Sequence, residues 1–330
     1  ARHVTLSRSM PPPNLNTSTP DEPLRPHVPE AGWHGFLADP VWPAPSCAVH
    51  SDDLARPGYQ SRTASEFLDA DEVVDAKVRV LAELLASSRA NVAYTGAGLS
   101  TSAGIGDYAS RAKGTLARRW GQEGQGRSLN LRACKPTTAH RALAALERAG
   151  LLHYWVQQNH DGLAQKATYP QAKLCEIHGS WFDPRNPVVK MNGSLRPDLY
   201  KAMHEWGARA EVVLALGTSL AGLAADSVPE ACAQRAMRTG RGGLVIVSLQ
   251  RTRLDDQAAL RIYARLDDVL AKLVVRLGLM ARQMPSEVEV ARASRDPAAW
   301  YATVYREDDR TWTRETRAEC RARAQPQLDR

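Results

Sequence analysis

Apolar positions along the chain fall into two kinds of run. Short continuous runs, Asn91–Tyr94, Leu151–Val156, Cys175–His178, Glu211–Leu216 and Leu244–Val247, suit strands that are covered on both faces. Between them, apolar residues recur at helical spacing. Val74, Val78, Leu81 and Leu85 form one stripe within Asp69–Ser88, which predicts a helix with Asp69 as its cap and Glu72 as the reciprocal partner. Pro136 and Thr137–Thr138 open a second helix that runs to Arg148 and is stopped by Gly150. Leu199–Trp206 favours helix, and Arg253–Leu279 reads as another with Leu260, Leu266, Val269, Leu270, Leu273 and Leu277 inward. Strands alternating with helices predict an open parallel α/β sheet.

The pattern fails at both ends. Residues 1–64 hold more than half of the twenty prolines, among them Pro11–Pro13. Proline fixes φ and removes a donor, so this part is expected as an extended arm that precedes the sheet. Trp33, Phe36 and Trp42 are its apolar anchors, held either by the chain's own domain or by a protein partner, and the partner is the expected holder because free termini are usually mobile. Residues 65–280 form the expected nucleotide-binding domain, and 281–330 a helical, charged tail. In the tail, Asp296-Pro297 and Asp308-Asp309 signal helix starts, and Trp300, Tyr301, Tyr305 and Trp312 are aromatic. These aromatics either pack back on the domain or form a second docking surface.

Composition changes this picture little. At 330 residues, 43% hydrophobic and 24% charged, the chain has an ordinary globular mixture. The net charge of +7 allows an acidic partner surface, but no concentrated Lys/Arg run singles one out. Cys47, Cys134, Cys175, Cys232 and Cys320 stand apart with no C-x-x-C pair, which predicts free thiols in a reducing, intracellular compartment, whether cytoplasmic, cytoskeletal or nuclear. There is no signal-peptide pattern and no apolar run long enough to span a bilayer, so no membrane association is expected.

The candidate chemistry begins where the first strand breaks into glycine. Gly96-Ala97-Gly98 is followed by small and hydroxyl residues to Gly104, with no charge before Asp107. Such a loop lets backbone donors approach a pyrophosphate, although the spacing lacks the third glycine of the dinucleotide fingerprint. Taken alone it is a nucleotide loop or a plain buried turn. Three further stretches follow in order: VQQNHDGL (Val156–Leu163), EIHGS (Glu176–Ser180) and ALGTSL (Ala215–Leu220). Together the four motifs resemble those of the sirtuins, NAD-consuming protein deacylases, over roughly Ser65–Leu279. The flanks LERAGLL and VSLQRTRLDDQAALRIYARLDD are similar to the class IV branch, which holds nuclear deacylases with mono-ADP-ribosyltransferase activity.

The resemblance implies a Rossmann-like, doubly wound parallel sheet with NAD as cofactor. It places Gly96, Ala97, Gly98, Ser100, Thr101, Gly104, Ile105, Asp107 and Tyr108 on the cofactor, with Gln158, Gly217, Thr218, Ser219, Ser248 and Gln250. Asn159 and Asp161 match the pair that binds nicotinamide and orients the ribose, and His178 matches the general base. Imidazole suits that task through its unperturbed pKa of about 6.5.

Four departures stand against this pattern. Only WFDPRNPVVKM separates Ser180 from Asn192, without cysteine, so the family's four-cysteine zinc module is expected to be missing and no metal is expected. Leu199–Trp206 stands where the family has a short strand that pairs with substrate backbone. Gly106 and Ala109 replace the Pro and Arg that flank the loop's Asp, and Ala164 replaces a histidine. Two functions follow. One is a divergent or degenerate deacylase that serves as a structural component of a larger assembly, through residues 1–64 and 281–330. The other is an active NAD-dependent deacylase or mono-ADP-ribosyltransferase with His178 as base.

Overall fold

The computed structural model describes residues 32–107, 116, 130, 132–190 and 193–301. Its centre is a six-stranded, wholly parallel sheet built from β3 (Asn91–Thr95), β4 (Tyr154–Gln157), β5 (Leu174–Glu176), β6 (Val212–Leu216), β7 (Gly243–Val247) and β8 (Leu260–Ile262). The spatial order is β5-β4-β3-β6-β7-β8. The chain winds outward from β3 to β5, returns to the other side of β3 as β6, and winds outward again. The reversal lies between β3 and β6, where open α/β sheets hold their ligands. Every residue of β3, β6 and β7 is buried, as their unbroken apolar sequences require.

Helices cover both faces. On one side lie α1 (Asp71–Ser87), α2 (Thr138–Arg148) and, later in the chain, Leu266–Arg276, against Ala93, Trp155, Leu214 and Val245. The short α3 (Leu163–Lys166) follows β4. On the other side, α4 (Pro197–Arg209) and α5 (Ser227–Thr239) pack on Tyr94, Val156, Val213 and Ile246. The stripe Val74, Val78, Leu81 and Leu85 on α1 is buried, and each such side chain stabilises by roughly 1.5–3 kcal/mol. Thr137 caps α2 as the sequence predicts, its hydroxyl accepting from the His140 amide. The segment Leu199–Trp206 is helical, within α4.

Three expectations are corrected. The single helix Arg253–Leu279 is in fact strand β8 followed by α6 (Leu266–Arg276). Leu260 and Ile262 supply a strand-like alternation around Arg261. That buried guanidinium binds Asp255 at 3.0 Å and the carbonyls of Ser248, Gln250 and Ile262, so it belongs to a sheet edge. Asp69 does not cap α1, whose cap position is Ala70. The Asp69 carboxylate is instead buried, accepting from Lys77 Nζ at 2.6 Å and the Tyr263 amide at 2.8 Å.

The third correction concerns the proline-rich part. Over residues 32–64 the chain packs on its own domain. The Phe36 and Leu37 amides donate to Ala258 and Ala259, and the Arg261 amide donates to His34, covering the edge at β8. Trp33 lies 5.0 Å from Phe67 and 5.7 Å from Tyr263, and Trp42 lies 5.8 Å from His34. Strand β1 (Ser46–Val49) pairs antiparallel with β2 (Glu66–Leu68). The reason is that the open edge and the Asp69–Lys77 pair need cover, and the aromatics supply it. Phe36 alone among the three anchors stays about half exposed. Residues 1–31 lie outside the described residues.

At the other end, α7 (Glu287–Ala293) is capped by Ser286 and Glu289, and α8 (Pro297–Tyr301) starts at the Asp296-Pro297 signal. Arg148 ties α2 to Glu289 at 2.8 Å. Trp300 and Tyr301 pack back on the domain. Tyr305, Trp312, Asp308-Asp309 and Cys320 lie outside the described residues. Among the described residues no helix is long and apolar enough to cross a membrane.

Candidate active site

The carboxyl ends of β3, β4, β5, β6 and β7 open into one cavity of about 690 Å³. Its floor is the contact of two loops. The Gly96 and Gly98 amides donate to the carbonyls of Leu216 and Gly217 at 3.1 and 2.9 Å. A Cβ on Gly98 would come within 2.9 Å of Gly217 Cα, so the approach needs glycine on both sides. This amends the sequence reading: these two donors hold the β6 loop, leaving Ala97 as the first uncommitted amide of the 3₁₀ turn Ala97–Ala103. Gly104 ends that turn at φ 84° and does not line the cavity.

Above the floor the polar side chains interlock. Ser100 Oγ donates to Asp161 Oδ2 at 2.6 Å, and Asp161 Oδ1 accepts the amide of Leu163, the first residue of α3, at 3.0 Å. Asn159 Nδ2 donates to Gly96 O at 3.0 Å and to Ser100 Oγ at 3.1 Å. Gln158 Nε2 reaches Thr218 Oγ1 at 3.0 Å. The motifs from β3, β4 and β6 are therefore one hydrogen-bonded unit. Thr101 turns its hydroxyl to Gly98 O, while Gln250 binds Glu66 Oε1 at 2.9 Å. Ile105, Asp107, Ser219 and Ser248 line the cavity with the others; Tyr108 lies outside the described residues.

His178 enters from the turn after β5. The Val189 amide donates to His178 O, and the Gly179 amide closes the turn onto Glu176 O at 3.0 Å. Gly179 has φ +87°, and a Cβ there would meet Pro187 O at 2.2 Å. Burial pulls the His178 pKa down to about 4, helped by the neighbouring His160 and Arg56, with the Gln158 carbonyl opposing. The ring is thus neutral at ordinary pH and offers a lone pair. His160 is lowered too, mainly by burial, and its Nδ1 is 2.9 Å from Gly179 O.

Sequence reasoning missed several walls. Arg56 and Ser61 reach the cavity from the proline-rich segment, Trp181 and Val188–Lys190 from the short loop after His178, and Asp267 from α6. Asp267 also accepts from Ser102 Oγ and the Ala139 amide. No motif marks them, because each arrives from an element whose place only the fold decides. Among the described residues no group of three His, Cys, Asp or Glu could hold a metal, and Cys134, Cys175 and Cys232 are buried singly.

A glycine-floored crevice at the reversal point of a doubly wound sheet, with a histidine at its rim, lies where open α/β sheets hold their ligands. The comparisons narrow this. The Sir2 family model matches residues 120–187. NAD-dependent protein deacetylase SRT1 of Arabidopsis thaliana is 30% identical over 251 residues, covering 65% of this chain and 52% of that protein. NAD-dependent protein deacetylase sirtuin-7 of Bos taurus is 29% identical over 312 residues, covering 80% and 74%. A solved structure described as "Sir2-p53 peptide-NAD+" superposes with TM-score 0.50 at 25% identity, covering 61% of this chain and 98% of that one. The chain is thus similar to the Sir2 family, the sirtuins. It spans about half the length of the SRT1 relatives it matches.

Proposed function

We propose that the chain binds NAD in this cavity and acts as an NAD-dependent protein deacylase of the sirtuin type. The observation that carries the reading is the convergence of Asn159, Asp161 and His178 on the Gly96–Gly98 floor. The residues fit the cofactor. The close loop contact leaves no side chain between the floor and a pyrophosphate, Ala97 has a free amide, and Thr218, Ser219 and Ser248 present hydroxyls to the space. NAD supplies a ribose whose bond to nicotinamide is labile, so that an acyl oxygen can take nicotinamide's place on the sugar.

The chain's own residues do the rest. Asn159 and Asp161, locked by Ser100 and the Leu163 amide, form a fixed wall that would hold nicotinamide. Neutral His178 accepts a ribose hydroxyl proton without first having to lose one. Trp181, Val188 and Val189 form an apolar wall beside the base that limits water. The relatives' names supply the acyl-protein substrate, and the acyl group is open. Incubation with NAD and acyl-lysine peptides tests the reading: free nicotinamide and deacylated peptide should appear together.

A second reading keeps NAD binding but drops turnover and makes the chain a scaffold in a larger assembly. The helix α4 favours it, standing where a substrate-pairing strand is expected, as does the cysteine-free loop Ser180–Lys190. Bound NAD with no nicotinamide release for any acyl peptide would select that reading. Residues 1–64 and 281–330 would then supply the partner contacts, with 32–64 limited to the face they leave exposed.

A further inference from the structure

The turn that carries His178 is followed by a loop, Ser180–Lys190, that forms a wall of the cavity. Within it the Ser180 amide donates to Asn186 O at 2.8 Å, the Asn186 amide to Asp183 O, the Arg185 amide to Asp183 Oδ1 and the Phe182 amide to Ser180 Oγ at 3.3 Å. It has no metal-binding cysteine to brace it. Asn186 Nδ2 and the Trp181 amide tie it to Glu176 O and His160 O, and the C-terminal segment braces it further. Tyr301, 2% exposed, places its hydroxyl among three elements. Ser180 Oγ lies 2.9 Å away, Gln165 Nε2 of α3 donates to it at 3.2 Å, and it donates to Glu176 Oε2 at 3.2 Å. The Tyr301 carbonyl accepts from Arg185 at 3.0 Å, and Trp300 packs edge-on against Phe182 at 5.6 Å.

The geometry points to Tyr301 as a positioning residue for His178: its hydroxyl ties the loop after the base to β5 and α3, so the C-terminal helix fixes the imidazole from behind. The proposal rests on the reading of His178 as base. Glu176 is the lever. Its main-chain oxygen receives both the Gly179 amide, which closes the His178 turn, and Asn186 Nδ2 at 2.9 Å. Its side chain is buried, and loss of the Tyr301 hydroxyl removes one of its donors, leaving Gln171 at 3.3 Å with Gln165 and Ser180. A buried carboxylate that loses this donor shifts, and the turn at residues 176–179 shifts with it.

The test uses the full chain and Tyr301→Phe, which keeps the buried ring. Steady-state nicotinamide release should show kcat lowered on the order of tenfold, with KM for NAD within about twofold, because the ring loses alignment while the cofactor floor is untouched. Amide exchange should quicken at Ser180 and Val189 and stay unchanged at Ala93 and Val213 in the sheet. Unchanged kcat with unchanged exchange at Ser180 and Val189 overturns the proposal. So does exchange that quickens equally across the sheet, which would mark Tyr301 as general packing. If the unaltered chain releases no nicotinamide, the deacylase reading falls, and the exchange pattern alone decides whether Tyr301 holds the loop.

Discussion

At the residue scale, two buried titrating groups two positions apart in one turn, Glu176 and His178, pull in opposite directions. His178 is held neutral down to about pH 4 by burial. Its folded pKa lies below the unfolded value, so its contribution to stability is present above about pH 6.5 and is lost as pH falls toward 4. Glu176 is pushed up to about 7, again chiefly by burial, despite help from Gln165, Ser180 and Tyr301. Its folded pKa lies above the unfolded value, so the charged form destabilises, and stability from this group declines as pH rises from about 4.5 to 7. Glu176→Gln should therefore raise the thermal midpoint at pH 7 relative to pH 5, measured as the difference from the unaltered chain; an equal shift at both pH values would contradict the assignment. For activity, the nicotinamide-release profile should show no limb near pH 6.5 from His178, with loss only at markedly lower pH. A limb at the ordinary histidine value would mean the ring is solvated, not buried. These environments were not legible in the sequence. EIHGS marks the residues, but Tyr301, Gln165 and Asn186 meet them only in the fold.

At the scale of elements, strands β3, β6 and β7 were legible because burial on both faces leaves unbroken apolar runs, and α2 because Thr137 and Gly150 punctuate it. Strand β8 was not, because three residues centred on a buried arginine carry too little pattern and sit beside the helical period of α6. The proline-rich segment was misjudged for a similar reason. Proline excludes regular structure but does not exclude packing, and the surface that Trp33 and Trp42 cover is invisible until β8 exists. The covered pair gives a sharp test. Lys77→Met leaves Asp69 buried without its cation and should cost roughly 3–5 kcal/mol, seen as a lowered urea midpoint. Replacing both, Asp69→Leu with Lys77→Met, should recover much of the loss. Removal of residues 1–64 should likewise lower the melting temperature and broaden the transition, since β1 and the cover over β8 go with it. Melting at the full-length temperature would show that the segment is dispensable to the domain.

At the scale of the whole molecule, four ordered motifs made the family legible, and the sheet order explains why they converge: each lies at a strand's carboxyl end beside the reversal between β3 and β6. What the motifs do not reveal is the replacement around them. A short cysteine-free loop, backed by the helix α8, lines one side of the site, and the segment bearing Arg56 lines another. Elemental analysis of the purified full chain should accordingly find no stoichiometric zinc, and one zinc per chain would contradict that expectation. The central claim is that the interlocked floor and the neutral histidine together make an NAD-consuming site. Its most direct test is nicotinamide release by the full chain at saturating NAD with an acyl-lysine peptide, compared with His178→Ala. Release that depends on the peptide and is lost in His178→Ala, while NAD affinity measured by calorimetry stays unchanged, is the predicted result. Tight NAD binding without any release by the unaltered chain, or release that persists in His178→Ala, would contradict it.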